Sequence, residues 1–210
     1  MQTTTQNAFA LAMADQMIAD RFARDYHTKT FAAYLDHLDR RTTAHLPDHM
    51  AERVIRTAGQ QRRNARLSIE DGAVTIAIPL HDARTGETVW AELYLSTWLN
   101  VIECGADQAW FYAHKGKTQA KGQVRTKLPL CDGDRVTNTT IARVIGNAKV
   151  GQQARLLDRN PMNLRSGNVV VIGNPATPEG KAGNAKTPTR AHARNKLALR
   201  ASLARKDGDE

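Results

Sequence analysis

The sequence predicts an α+β fold in which N-terminal helices lead into a small antiparallel sheet and a basic helix ends the chain. Apolar residues recur at helical spacing up to about residue 60 and then alternate with a period of two, which is typical of half-buried strands. After residue 114, lysine and arginine accumulate among glycine, proline and asparagine. We therefore divide the chain into a helical region (1–60), an α+β region (61–172), a flexible basic linker (173–188) and a basic helix with an acidic end (189–210).

Two apolar stripes predict two N-terminal helices. They comprise Phe9, Met13, Met17, Ile18 and Phe22 and, after a break at residues 27–30, Phe31, Tyr34, Leu35 and Leu38. A third short helix is predicted after Pro47, with Val54 and Ile55 facing inward. The following segment QQRRNAR, residues 60–66, is interpreted as a basic connection.

The next part of the chain predicts a sheet and one helix. Residues 65–80, ARLSIEDGAVTIAIPL, are typical of a β-hairpin that turns at Asp71-Gly72. Residues 85–95, TGETVWAELYL, predict another strand. Ser96 is a favourable N-cap for a helix that places Trp98, Leu99 and Ile102 on one face.

A basic β-hairpin and two helices are predicted beyond residue 109. Residues 110–130, WFYAHKGKTQAKGQVRTKLPL, form two β-like runs around a loop rich in lysine and glycine, and Trp110, Phe111 and Tyr112 are interpreted as an exposed aromatic cluster. Residues 137–148, TNTTIARVIGNA, predict a helix capped near Asn138 or Thr139 and closed near Gly146. The last helix is expected at about residues 189–206.

Composition excludes several classes of protein. At 210 residues and 41% apolar content the chain can form a modest core, and no apolar run reaches the roughly 20 residues that span a bilayer. Residues 8–14, AFALAMA, lack the basic segment that precedes a signal-peptide core. Cys104 and Cys131 have no C-x-x-C neighbour and no histidine at zinc-ligand spacing, so we expect reduced thiols. A cytoplasmic protein without a membrane partner is the expectation.

The positive charge is concentrated in the C-terminal half. Residues 1–114 carry 11 Lys and Arg against 14 Asp and Glu, a balance of −3, whereas residues 115–206 carry 19 against 4, a balance of +15. The final DGDE adds −3, which gives the net charge of +9. A basic half beside a mildly acidic one favours a module that binds a polyanion next to a structural or partner-binding module.

Three stretches of the C-terminal half resemble the phage and bacterial HNH endonucleases. Residues 110–126, WFYAHKGKTQAKGQVRT, are similar to the family's tryptophan and "GYVRT"-like strand. Residues 141–153, IARVIGNAKVGQQ, resemble its "HRLIMGAPPG" helix and turn, and residues 154–171, ARLLDRNPMNLRSGNVVV, its "VDHINGNPLDNRRSNLRV" motif. The resemblance covers about 80 of 210 residues and implies a ββα-metal-like module at about residues 90–172.

The chain departs from this family at the positions that carry the chemistry. Ala142 stands where the family has a metal-proximal histidine, and Arg155 and Leu156 replace its Asp-His pair of metal ligand and general base. The positions that shape the turn are retained as Asn160, Pro161, Asn163, Arg165 and Asn168. Hydrolysis of a phosphodiester needs a base near pKa 7 and a divalent metal, and neither leucine nor arginine supplies them. We therefore predict a degenerate HNH module that binds nucleic acid without cutting it.

The leading hypothesis is a non-catalytic DNA-binding protein, nucleoid-associated in the cell. The resemblance suggests a phage or mobile-element setting and a role in transcription regulation. Protein partners or self-association are expected for the acidic N-terminal helices. The predicted nucleic-acid contacts are Lys115, Lys117, Lys121, Arg125, Lys127, Arg143, Arg155, Arg159, Arg165, Arg190, Arg194, Lys196 and Arg200.

Two alternatives remain open on the sequence. In the first, a divergent HNH nuclease holds Mg²⁺ through Asp158 with Asn163 or Asn168, and His114 supplies the base. The competing interpretation of Asp158 is that it caps a turn through its own backbone. In the second, the protein is an RNA-binding accessory protein, which the charge pattern allows equally, although an aromatic content of 5% disfavours base stacking on single strands. With no metal in the leading hypothesis, no cofactor is expected unless the nuclease alternative holds.

Overall fold

A computed structural model describes residues 4–26, 28–114, 122–129 and 136–174. Within them the chain has the predicted mixed α+β class, with helices and small antiparallel sheets. The loop lysines Lys115, Lys117 and Lys121 lie outside the described residues. So do most of the predicted linker and the whole C-terminal helix with Arg190, Arg194, Lys196 and Arg200. No helix in the described ranges is long and apolar enough to cross a membrane.

The N-terminal layer is helical. It consists of α1 (Thr4–Tyr26), α2 (Phe31–Thr43), α3 (Asp48–Val54), a π-helical turn (Ile55–Gly59) and α4 (Gln60–Arg63). Thr30 caps α2 because its Oγ1 accepts a hydrogen bond from the Ala33 amide at 3.1 Å. The predicted basic connection is therefore partly wrong, since residues 60–63 continue the helical layer.

The buried face of α1 differs from the predicted stripe. Ala10, Ala14, Ile18 and Phe22 are buried, whereas Phe9 is 61% exposed. These four residues follow an exact four-residue spacing, and the two alanines allow the helix to approach its neighbours closely. Ile55 was also expected to face inward and is 41% exposed.

The first sheet is an antiparallel meander of β1 (Arg66–Glu70), β2 (Ala73–His81) and β3 (Thr88–Tyr94). Asp71 and Gly72, with φ of 52° and 76°, form the predicted tight turn between β1 and β2. Helix α5 (Leu95–Glu103) follows β3 directly. The predicted Ser96 cap is wrong because the helix begins at Leu95, with Tyr94 as its N-cap residue.

The second sheet pairs β4 (Phe111–His114), β5 (Gly122–Pro129) and β6 (Val136–Thr140) in that order, again antiparallel. The helix predicted at residues 137–148 is thus mostly wrong. Residues up to Thr140 are strand, because the β-branched threonines pair with β5, and only α6 (Ile141–Ile145) is helical. It ends at Gly146 as predicted. The exposed aromatic cluster is also wrong for Trp110, which is 4% exposed.

A third, two-stranded sheet pairs β7 (Gln153–Leu156) with β8 (Val169–Ile172). The segment between them, residues 157–168, is called the motif segment and pairs with the first sheet. The Glu92 amide donates to Met162 O and the Leu164 amide donates to Glu92 O, both at 2.8 Å. Leu164 belongs to the same buried cluster as Ile18, Ile76 and Trp98. The helical layer, the first sheet and the motif segment therefore share one core.

Candidate nucleic-acid interface

The segment between β7 and β8 is organised around the carboxylate of Asp158. Its Oδ1 accepts hydrogen bonds from the Asn160 amide at 2.8 Å and from Asn168 Nδ2 at 2.8 Å. Its Oδ2 accepts one from Asn163 Nδ2 at 2.7 Å. The bond from the Asn160 amide, followed by those from Asn168 and Asn163, holds the pKa of Asp158 below its ordinary value. The prediction that Asp158 caps its own turn is confirmed.

Asn168 ties the two ends of this segment together. Its Oδ1 accepts from the Asp158 amide at 3.0 Å, and its Nδ2 also donates to Asn163 O at 2.7 Å. Asn160 adds a bond from the Met162 amide to its Oδ1 at 3.1 Å. These asparagines thus fix the backbone that carries the neighbouring arginines.

The side chains that the nuclease alternative assigns to the metal site make hydrogen bonds within the protein that differ from those of a metal site. Asn163 and Asn168 direct their amide nitrogens at Asp158, whereas Mg²⁺ takes oxygen ligands. His114 Nε2 lies 2.8 Å from Asp82 Oδ1, on the turn between β2 and β3. Among the described residues no group of three or more His, Cys, Asp and Glu side chains could hold a metal ion.

Arg143 and Arg165 are held by backbone carbonyls and carboxylates of the protein. Arg143 donates to the carbonyls of Gln152, Ala148 and Lys149, and so closes the turn after α6. Arg165 pairs with Glu70 and, at 3.4 Å, with Glu92 on the first sheet. Their roles in the fold are therefore explained without a ligand, and the carboxylates offset the charge of Arg165.

The basic residues of β5 lie on one face of the second sheet. Arg125 is directly opposite Phe111 on β4 and Thr140 on β6, and Lys127 is opposite Asn138. Because side chains alternate across a strand, Gln123 shares this face. Its Oε1 accepts a hydrogen bond from Arg125 at 3.1 Å. This face is polar and basic, while Val124, Thr126 and Leu128 point to the interior.

Arg155 and Arg159 lie beside a cleft between β5 and the motif segment. The cleft has a volume of about 280 Å³ and is open to solvent. Arg155, Arg159, Gln123 and Thr140 are its polar lining, and the apolar lining includes Val124, Leu156 and Leu164. Gln123 and Thr140 were not among the predicted contacts, although the alternation in GQVRTK places Gln123 on the same face as Arg125.

The described residues of this half are strongly cationic. Residues 122–129 and 136–174 contain seven basic residues against one acidic residue, Asp158, a balance of +6. Arg125 and Lys127 lie on the second sheet, and Arg155 and Arg159 line the cleft. These two groups of residues form the candidate interface.

The hydrogen bonds of Asn168 give a first testable expectation. Replacing Asn168 with alanine should lower the melting temperature by roughly 2–4 °C, the shift that about 1 kcal/mol produces in a domain of this size. Thermal unfolding followed by circular dichroism measures it. The matched control is Asn138→Ala, an exposed position on β6. Equal shifts in the two variants would contradict the role given to Asn168.

No protein-family model, curated protein or solved structure matches this chain.

Proposed function

We propose that this protein binds nucleic acid through the phosphate backbone and does not hydrolyse it. The observation that carries the proposal is the net charge of +6 on the described residues after Lys121. The one carboxylate among these residues, that of Asp158, accepts hydrogen bonds from the protein. Basic side chains that neutralise phosphates release counterions, which provides affinity without sequence recognition.

The residues of the motif support binding over catalysis. Leu156 has no lone pair to accept a proton from water, and the guanidinium of Arg155 repels a divalent cation while it can grip phosphate oxygens. Both oxygens of Asp158 already accept hydrogen bonds. A turn that has arginine and leucine at these two positions is suited to bind a nucleic-acid strand without cutting it.

The finer proposal is a DNA-binding regulator of transcription in a phage or mobile element, which rests on the family resemblance. Exposed Phe9 and Leu11 on α1 support contact of the helical layer with protein. RNA as the ligand is the second candidate, because a phosphate contact does not distinguish the two polymers.

Salt dependence tests the proposal. If about five to eight basic residues neutralise phosphates, the logarithm of the association constant for duplex DNA should fall against the logarithm of salt concentration with a slope of roughly −4 to −7. Fluorescence anisotropy with a labelled duplex measures this slope. A flat response would remove the basis of the proposal.

A plasmid-nicking assay with Mg²⁺ or Mn²⁺ separates binding from catalysis. We expect no metal-dependent nicking by the intact chain, because the motif lacks a base and its carboxylate is engaged. Asp158→Ala and Asn168→Ala serve as the comparison variants. Nicking by the intact chain that both variants lose would establish the nuclease alternative.

A further inference from the structure

The cleft between β5 and the motif segment combines two kinds of lining. Val124, Ala142 and Leu164 are buried side chains at its apolar wall, and Ala154 and Leu156 of β7 contribute to the same wall. The exposed residues Arg155, Arg159 and Gln123 also line the cleft. A lining that combines apolar and cationic residues is chemically matched to a ligand that has an apolar part and an anionic part.

We infer that this cleft receives one unpaired nucleotide of a single strand, its base against the apolar wall and its flanking phosphates on Arg155 and Arg159. The inference rests on the proposed function and specifies its ligand. At about 280 Å³ the cleft lies just below the ~300–1,000 Å³ typical of small-molecule sites, so it admits one nucleotide and not a base pair.

A single strand fits this arrangement better than a duplex. In a duplex the bases are stacked and paired, so that only the phosphates would reach the cleft lining and the apolar wall would stay unused. An unpaired strand can turn one base outward and place it on an apolar surface, while basic side chains follow its backbone. Gln123 in the cleft lining offers an amide that can form hydrogen bonds with a base edge.

The neighbouring sheet face continues the same path. Gln123 connects the cleft to Arg125 through their 3.1 Å hydrogen bond. Arg125 lies opposite the half-buried ring of Phe111, and Lys127 follows two residues along β5. A strand that leaves the cleft along β5 therefore meets one aromatic ring and two further cations.

Competing ligands and matched variants test the inference. Anisotropy is measured with labelled dT20, with U20 and with a mixed-sequence 20-base-pair duplex at one salt concentration. Ala154→Met fills the apolar wall, and Arg155→Gln removes one charge from the cleft lining. Lys149→Gln is the control, because it removes the same charge from an exposed position of this half outside the cleft lining. Circular dichroism establishes that each variant is folded.

The expected result is tighter binding of a single strand than of the duplex, reduced about tenfold by Ala154→Met and by Arg155→Gln. Lys149→Gln should change it by about twofold or less, as expected for a screened exposed charge. A preference for dT20 over U20, or the reverse, identifies the polymer.

Tighter binding of the duplex, or losses of affinity equal to that of Lys149→Gln, would overturn the inference while leaving the proposed function. Absence of binding to all three ligands would overturn both. If Ala154→Met does not fold, Arg155→Gln alone decides.

Discussion

Replacing Asp39 with alanine is expected to lower the free energy of unfolding by about 3–5 kcal/mol. Asp39 Oδ1 accepts from the Arg62 guanidinium at 2.5 Å, and both side chains are buried. Arg62 also donates to the Asp107 carbonyl, so this group joins α2, α4 and the segment after α5. Without Asp39 the protein would bury an uncompensated cation. Urea denaturation at neutral pH measures the loss.

Asp36→Ala is the matched control for this prediction. Asp36 lies on the same helix and pairs with Arg63 at 2.9 Å, but its side chain is 64% exposed. An exposed ion pair contributes at most about 1 kcal/mol. Similar losses of stability for Asp39→Ala and Asp36→Ala would show that the effect of Asp39→Ala does not depend on burial of the Asp39–Arg62 pair. Replacing Asp39 and Arg62 together with leucine and methionine should recover most of the stability, because neither charge of this pair is then left buried without its partner.

The Asp39 pair also shows where local pattern stops predicting structure. The basic run at residues 60–66 is typical of a solvated loop, yet Arg62 is 4% exposed because its partner comes from 23 residues earlier in the chain. Gly59 permits this approach, since a Cβ there would lie 2.8 Å from Asp39 Oδ1. Neither fact can be inferred from spacing along the sequence, because both depend on how two helices pack.

Features that depend on residues adjacent in the sequence were predicted more accurately than features that depend on packing. The Asp71-Gly72 turn follows from two adjacent residues that accept positive φ, and the Asp158 turn follows from a side chain that bonds the amide two residues on. The helical and strand periods likewise predicted the α+β class. At the candidate interface, the sequence identified a basic half but did not distinguish its roles. Arg143 and Arg165 are held by distant or non-adjacent partners, which a charge count cannot reveal.

The second large effect on stability is expected from replacing Gln61. The side chain of Gln61 forms hydrogen bonds to the Trp110 backbone of the kind that a neighbouring strand would form. Its Oε1 accepts from the Trp110 amide at 2.8 Å, and its Nε2 donates to Trp110 O at 2.8 Å and to Pro79 O at 2.9 Å. These bonds hold the residue that leads into β4 against β2, and thereby position Phe111 and the second sheet. Gln61→Ala should lower the free energy of unfolding by about 2–4 kcal/mol, because backbone groups at a buried tryptophan lose their partners.

Gln60→Ala provides the comparison for Gln61, because it makes the same chemical change at the adjacent, exposed position. Its loss should stay within about 0.5 kcal/mol, as for most surface substitutions. Urea denaturation followed by tryptophan fluorescence measures both variants, and Trp110 itself reports on the site. Since the basic face of β5 is held in place through β4, Gln61→Ala should also weaken nucleic-acid binding in proportion to its unfolded or displaced fraction. An equal loss of stability for Gln60→Ala and Gln61→Ala would show that the side-chain pairing to Trp110 does not hold the two sheets together.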